Sequence, residues 1–398
     1  MLALFAAAVA GCATPLEGME KEVRPTDLET LKTVGGKANG LVVWTSSRDG
    51  LPHLYTMKTD GSETRQLTKG DVTDWHPRFS PDGRKILFIR SQDSGFVRES
   101  DANVPGTWDL YTIGSDGTGL TKVVEDGTWG SWAGPDEIVF MRGTRIMRKT
   151  LGAEAELKIM DTARYPFFNG VTVQQPELSH DGHFLALTLA GMHRQTGIWN
   201  IKKKAWTQMG QGMQIAWAPD GASVYWADDA GKEGARIAHE PVIAGGPADD
   251  RDPNQLLVVD LAGKRSRERF PRLSNDGHWL VFGAAISDLE NDLEDFELFL
   301  WEAGSPSMTA TRLTFHSSND RWPDIFVGEP GKTAPTEPAA KAGEAGTEEE
   351  SGGAEKAATP VEDEAPKAAT ETETKAADED LDAAPVKAKA KSKKKKHR

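Results

Sequence analysis

The stretch WHPRFSPDGRKILFI, Trp75 to Ile89, sets a Pro-Asp-Gly turn between two apolar runs, which is a hairpin signal. What constrains the fold is that the signal returns. PELSHDGHFLALTL starts at Pro176, IAWAPDGASVYWA at Ile215 and PRLSNDGHWLVFG at Pro271. One hairpin is a local event; the same hairpin at intervals points to a repeat architecture.

Anchored on the turn, six versions of one unit can be laid out. The turns are SPDG at Ser80, a degenerate AGPDE at Ala133, SHDG at Ser179, APDG at Ala218 and SNDG at Ser274. The sixth version lacks its turn, but NDRWPDIF from Asn319 matches DWHPRF from Asp74. After each turn comes a β-rich run: KILFI, EIVFM, FLALTL, SVYWA and WLVFG. A second run follows (DLYTI, RIMRK, GIWNI, LLVVD, FELFL), and in several units a third, such as LTKVV or TRLTF. Short runs rich in Val, Ile, Leu and aromatics and bounded by Gly, Asp or Asn read as strands. No segment combines the length and 3.6-residue period of a good amphipathic helix. The expected class is all-β.

The ends say how the units join. GLVVW from Gly40, HLYTM from His53 and TRQLT from Thr64 supply strands two, three and four of a unit that has no first strand. NDRWPDIF supplies a first strand with no successors. The expected fold is therefore a six-bladed β-propeller of four-stranded antiparallel blades over residues 40–328, closed by the C-terminal strand. Ile325 and Phe326 should then lie beside Val42 and Val43. In the turns, Pro81 presets φ, Asp82 suits the next position and Gly83 takes positive φ, so Asp82, Asp181, Asp220 and Asp276 read as turn formers rather than metal ligands.

The residues WHPRFSPDGRKILFIRS, followed by WDLYTIGSDGTGLTKVV, resemble the PD40 (WD40-like) repeats of TolB-type six-bladed propellers. The resemblance covers nearly all of residues 40–328 and is strongest in the second blade. Proteins of that type carry a further α/β domain before the propeller. Residues 13–39 are too few for one and are expected to form a linker.

Cys12 is the one cysteine, so no intrachain disulfide can form. LALFAAAVAGCATP is an apolar run, too short to span a bilayer, ending in small residues before that cysteine. No Lys or Arg precedes it. The segment resembles a bacterial lipoprotein signal over residues 1–12, which implies cleavage before Cys12 and lipid on its thiol. Ala13 in the following position implies the outer membrane, facing the periplasm.

After residue 328 the composition shifts to Ala, Glu, Pro, Thr, Lys and Gly. Residues 329–386 hold 16 acidic and 5 basic residues, and 387–398 hold 8 basic and no acidic ones. Such a tail, 329–398, cannot bury enough surface to offset chain entropy and is expected to be disordered. The whole chain carries a formal charge of −14, and the part before the tail is acidic, which argues against a nucleic-acid partner.

Catalytic patterns are missing: there is no Gly-x-Ser-x-Gly, no His-Glu-x-x-His and no phosphate-binding glycine loop. No cofactor or metal is expected. Asp288, Glu290, Asp292, Glu294 and Asp295 crowd one loop without the spacing of a calcium loop and read as a solvated acidic loop.

Three connections between strands two and three look expanded, beginning at Ser91, Asp228 and Ile286, and all three are expected on one face. The innermost strands start on the same face. There the aligned columns bring Trp75, His76, Trp129, Gln175, Gln214, Arg269, Phe270, Arg321 and Trp322 to a channel mouth. Aromatic, amide and guanidinium groups in convergence suit an envelope protein, a peptide segment, or a polysaccharide or peptidoglycan-associated component. Phe79, Trp132, Leu178, Trp217, Leu273 and Ile325, three positions further on, read as blade packing. The expected function is a non-enzymatic, lipid-anchored envelope protein that binds through a propeller face. The alternative is a carbohydrate-active or hydrolytic propeller with its site at the mouth and Asp74 and Asp320 as acid/base candidates.

Overall fold

The computed structural model describes residues 25–191, 194–229, 235–242, 257–261, 265–286 and 295–332. Cys12 with its signal segment, Asp288, Glu290, Asp292 and Glu294, and the tail from residue 333 lie outside the described residues.

Six four-stranded antiparallel sheets form the blades of a propeller. Counted outward from the centre, blade two is Asp74–Phe79, Lys85–Ser91, Trp108–Gly114 and Thr121–Val124. Blades three to six start from the inner strands Thr128–Trp132, Thr172–Leu178, Gly212–Trp217 and Arg267–Leu273. Blade one takes its inner strand from the far end of the sequence: Asp320–Val327 pairs antiparallel with Gly40–Ser46, setting Ile325 opposite Val42 and Phe326 opposite Leu41. This is the expected closure.

Stacking explains why the strand signals were continuous apolar runs rather than alternations. A blade is covered on both faces, so both sets of side chains are buried. Trp279–Ala285 is buried at every residue. Between blades one and two, Val43, Leu54, Phe79, Ile86, Phe88, Ile113 and Phe326 pack into one cluster.

The Asp residues of the turns are held as turn formers. In blade two the Ser80 hydroxyl donates to Asp82 at 2.6 Å, the same carboxylate accepts from the Arg84 amide at 3.1 Å, and Gly83 has φ 71°. Ser179 and Asp181 repeat the arrangement in blade four.

Two elements differ from expectation. Within the segment expected as a linker, Pro25–Ala38 is an α-helix, α1. Its buried positions Leu31, Gly35 and Ala38 follow helical spacing, but two of the three are small, so the apolar stripe is faint in the sequence. In blade five, LLVVD was expected as the third strand. Leu257–Val259 is instead the fourth, and Arg236–Pro241 holds third place. Ile237 and Ala238 are fully buried there, but Arg, His, Glu and Pro around them mask the strand. The segment after Asp228 is therefore not one connection, because the strand Arg236–Pro241 interrupts it. The expanded connections between strands two and three belong to blades two and six, which flank blade one.

Candidate functional site

Each inner strand carries a bulge at the same place, two residues facing one on the neighbouring strand. The first bulge residue is His76, Trp129, Gln175, Gln214, Phe270 or Trp322, and all six are left-handed, with φ between 52° and 63°. Glycine is the residue that adopts this conformation without cost; a large side chain there costs about 1–3 kcal/mol and persists only when its surroundings enforce it. The surroundings here are the other members of the ring. His76 meets Trp129 at 5.3 Å and Trp322 at 4.9 Å between ring centroids, and Phe270 meets Trp322 at 4.4 Å. The Gln214 side-chain carbonyl accepts from the Phe270 amide at 2.6 Å.

All nine residues expected at the mouth are thus brought to the channel, but none is more than 6% exposed. The connection of blade two packs on four of them, Trp75, Trp129, Arg321 and Trp322. Its short 3-10 turn Glu99–Asn103 places Glu99 against Arg321 at 2.9 Å and within 3.3 Å of the Trp322 indole N–H. Trp129 donates to the Asn103 side-chain oxygen at 2.8 Å, and Trp75 to the Val97 carbonyl at 3.3 Å. Arg321 lies over the Trp75 ring at 4.2 Å. Arg269 pairs with Asp229 at 2.8 Å. The nine residues form a buried plug, braced at Trp75, Trp129, Arg321 and Trp322 by the connection of blade two.

On the turn side of the plug a second ring lies two residues further along each strand. Arg78, Glu177, Arg272 and Asp324 are its charged members. Arg272 forms an ion pair with Glu177 and lies 3.7 Å from Asp324. Asp324 accepts from the Phe79 amide at 2.7 Å. Burial holds His76 well below its ordinary pKa, with Arg78 and Arg272 adding to the effect, so the imidazole is neutral. Burial also raises Asp324, against the pull of Arg272 and Arg78. Between plug and ring is a cavity with about 10 Å³ of water-sized space. The repeat alignment, read two columns beyond the plug, contains this ring; Glu99, Asn103 and Asp229 carry no such signal, because they sit on irregular connections.

Asp74 and Asp320 are both engaged. Arg90 grips Asp74 through two nitrogens at 2.7 and 2.9 Å. Asp320 accepts from Arg48 at 2.9 Å and from the Trp44 indole at 3.0 Å. Asp295, the described member of the acidic loop, pairs with Arg265 at 2.8 Å. Among the described residues no three His, Cys, Asp or Glu side chains gather as a metal-binding group, and no helix is long and apolar enough to cross a membrane.

The family described as the dipeptidyl peptidase IV (DPP IV) N-terminal region matches residues 19–133. A TolB homolog from Chlorobium luteolum is 36% identical over 58 residues, 15% of this chain and 13% of that protein. Among solved structures, TolB from Acinetobacter baumannii matches with a TM-score of 0.49 at 16% identity, over 72% of this chain and 66% of that chain. Oligogalacturonate lyase from Vibrio parahaemolyticus matches with 0.36 at 15% identity, over 69% and 74%. The chain covers less than two thirds of the length of either TolB relative. Six four-stranded blades closed by a C-terminal strand make this chain a six-bladed β-propeller, one stretch of which is similar to a TolB homolog.

Proposed function

We propose that this chain is a non-enzymatic, lipid-anchored protein of the bacterial envelope, and that it binds a protein segment on the face carrying the connections between strands two and three. One observation carries the reading. The connection of blade two braces the plug from above yet leaves Phe96 47% and Val104 52% exposed. Ile286, which begins the corresponding connection of blade six, is 54% exposed. Large apolar side chains held outward on a braced loop are what a partner surface covers. A loop needed only for solubility has no use for them. Lipid on Cys12 would hold the propeller at a membrane surface, in keeping with the small residues that precede the cysteine.

Replacing Phe96 and Val104 together by Ser tests the face. Both are exposed, so stability should change by no more than about 0.5 kcal/mol each. Partners captured from envelope fractions by the parent protein should be lost. An unchanged set of partners would reject this face. Anchoring is tested separately: Cys12→Ser should move the protein from the detergent phase to the aqueous phase, and no movement would reject the lipid.

A further inference from the structure

Three of the residues lining the cavity beneath the plug present buried hydrogen-bond donors without partners. Arg78 is 5% exposed, and among the described residues no carboxylate oxygen lies within 4.0 Å of it. Its guanidinium donates to the Pro77 carbonyl at 2.8 Å and meets the His76 Nε2 at 2.9 Å, while its Nε has no partner. Because a guanidinium has only donors, His76 Nε2 must be the accepting nitrogen. The proton of the neutral imidazole is then on Nδ1, which is buried without a partner. Gln214 has its carbonyl taken by the Phe270 amide, which leaves its Nε2 unpartnered as well. All three residues line the same cavity.

The acceptors nearby are engaged. Glu177 takes Arg272 on one oxygen and the Trp217 amide on the other, and the Pro176 carbonyl takes the Ser131 hydroxyl at 2.6 Å. A water molecule in the cavity could accept from two of the donors and would leave the third unmet. Arg78 shares the field of Glu177 and Asp324 with Arg272 and has neither carboxylate in contact, and a group with acceptors only would answer the unmet donors.

We propose that this cavity is a carboxylate-binding site, with Arg78, His76 and Gln214 as its donors. Space of about 10 Å³ is room for about one water-sized group, which a carboxylate oxygen fills and a larger anion exceeds. Arg272, whose side chain is 19% exposed, marks the approach, from the face of the tight turns. That face is opposite the connection of blade two, so the site does not depend on the function proposed above. The carboxylate comes either from a small free acid or from the C-terminus of a peptide.

Thermal unfolding of the whole protein at constant ionic strength tests this. The additions are sodium formate, sodium chloride, a short peptide with a free C-terminus, and the same peptide amidated. Formate at ten times its Kd should raise Tm by about 2–4 °C, and chloride should not. A shift from the free-acid peptide that its amide lacks would assign the site to chain termini; a shift from formate alone would assign it to free acids. Arg78→Met should lose the response. If that variant fails to fold, Gln214→Glu serves instead: it places a carboxylate in the cavity, and its Tm should be raised and insensitive to formate. No shift in the parent protein, an equal shift from chloride, or the same formate response in both variants would overturn the proposal.

Discussion

Glu268 shows what burial does to one side chain. It is fully buried on the inner strand of blade six, where one oxygen accepts from the Leu261 amide at 2.7 Å and the other has no partner. Burial pushes its pKa up to about 8. The fold accepts the protonated acid, so the contribution of Glu268 is fully present below the unfolded value of about 4.3 and is lost as pH rises through about 8. Stability should therefore fall between pH 5 and pH 8.5. Glu268→Gln keeps the acceptor and cannot ionise. It should flatten that slope and be more stable than the parent at pH 8.5 by at least about 1 kcal/mol in urea unfolding. An unaltered slope would mean that Glu268 is ionised within the fold. The six left-handed residues make the complementary point, since their backbone strain is sustained by contacts to residues of other blades.

At the scale of an element, α1 is decided by docking. It ends at Asn39, which has φ 44° and whose amide donates to the Gly35 carbonyl at 3.2 Å, a left-handed cap. Gly35 packs so closely that an added Cβ would lie 1.9 Å from the Thr59 carbonyl oxygen, whereas at Gly36 it would meet nothing within 4 Å. Intrinsic propensity favours Ala over Gly in a helix by about 1 kcal/mol at either site. Gly36→Ala should accordingly stabilise by up to about 1 kcal/mol. Gly35→Ala should instead destabilise by about 1–3 kcal/mol, because the helix must lift from blade one. Urea unfolding of the two variants checks both signs. If both stabilise, the contact of α1 with the propeller is dispensable.

For the whole molecule the decisive contact is between the ends of the ring. Asp320–Val327 supplies the inner strand of blade one, together with Arg321 and Trp322 of the plug. A chain ending at residue 319 leaves Gly40–Ser46 as an unpaired edge and removes a member from each ring. A chain ending at residue 332 keeps every described contact. The shorter form should lose its single cooperative calorimetric transition and associate through the open edge; the longer form should unfold as the full chain does. Equal cooperativity in both would show that closure contributes little.

The repeat turns, the four-strand units and the pairing of the two ends are all written locally, as turn chemistry and as β-rich runs that any blade must contain. Register followed from them, since Ile325 beside Val42 is the pairing that keeps both faces of the strand buried. The columns that converge on the channel were legible for the same reason: a repeat places equivalent residues at equivalent radii. Burial was not legible, because Glu99 and Asn103 reach the plug from a connection with no periodic pattern. The strand Arg236–Pro241 and the helix α1 were hidden because small or charged residues replace the apolar signal there. Tertiary packing decided that Trp322 and its neighbours close the channel, and that Arg78 is left beside a cavity with its Nε unpartnered. Those outcomes depend on which side chains meet across six separate strands, and no single stretch of chain contains that information.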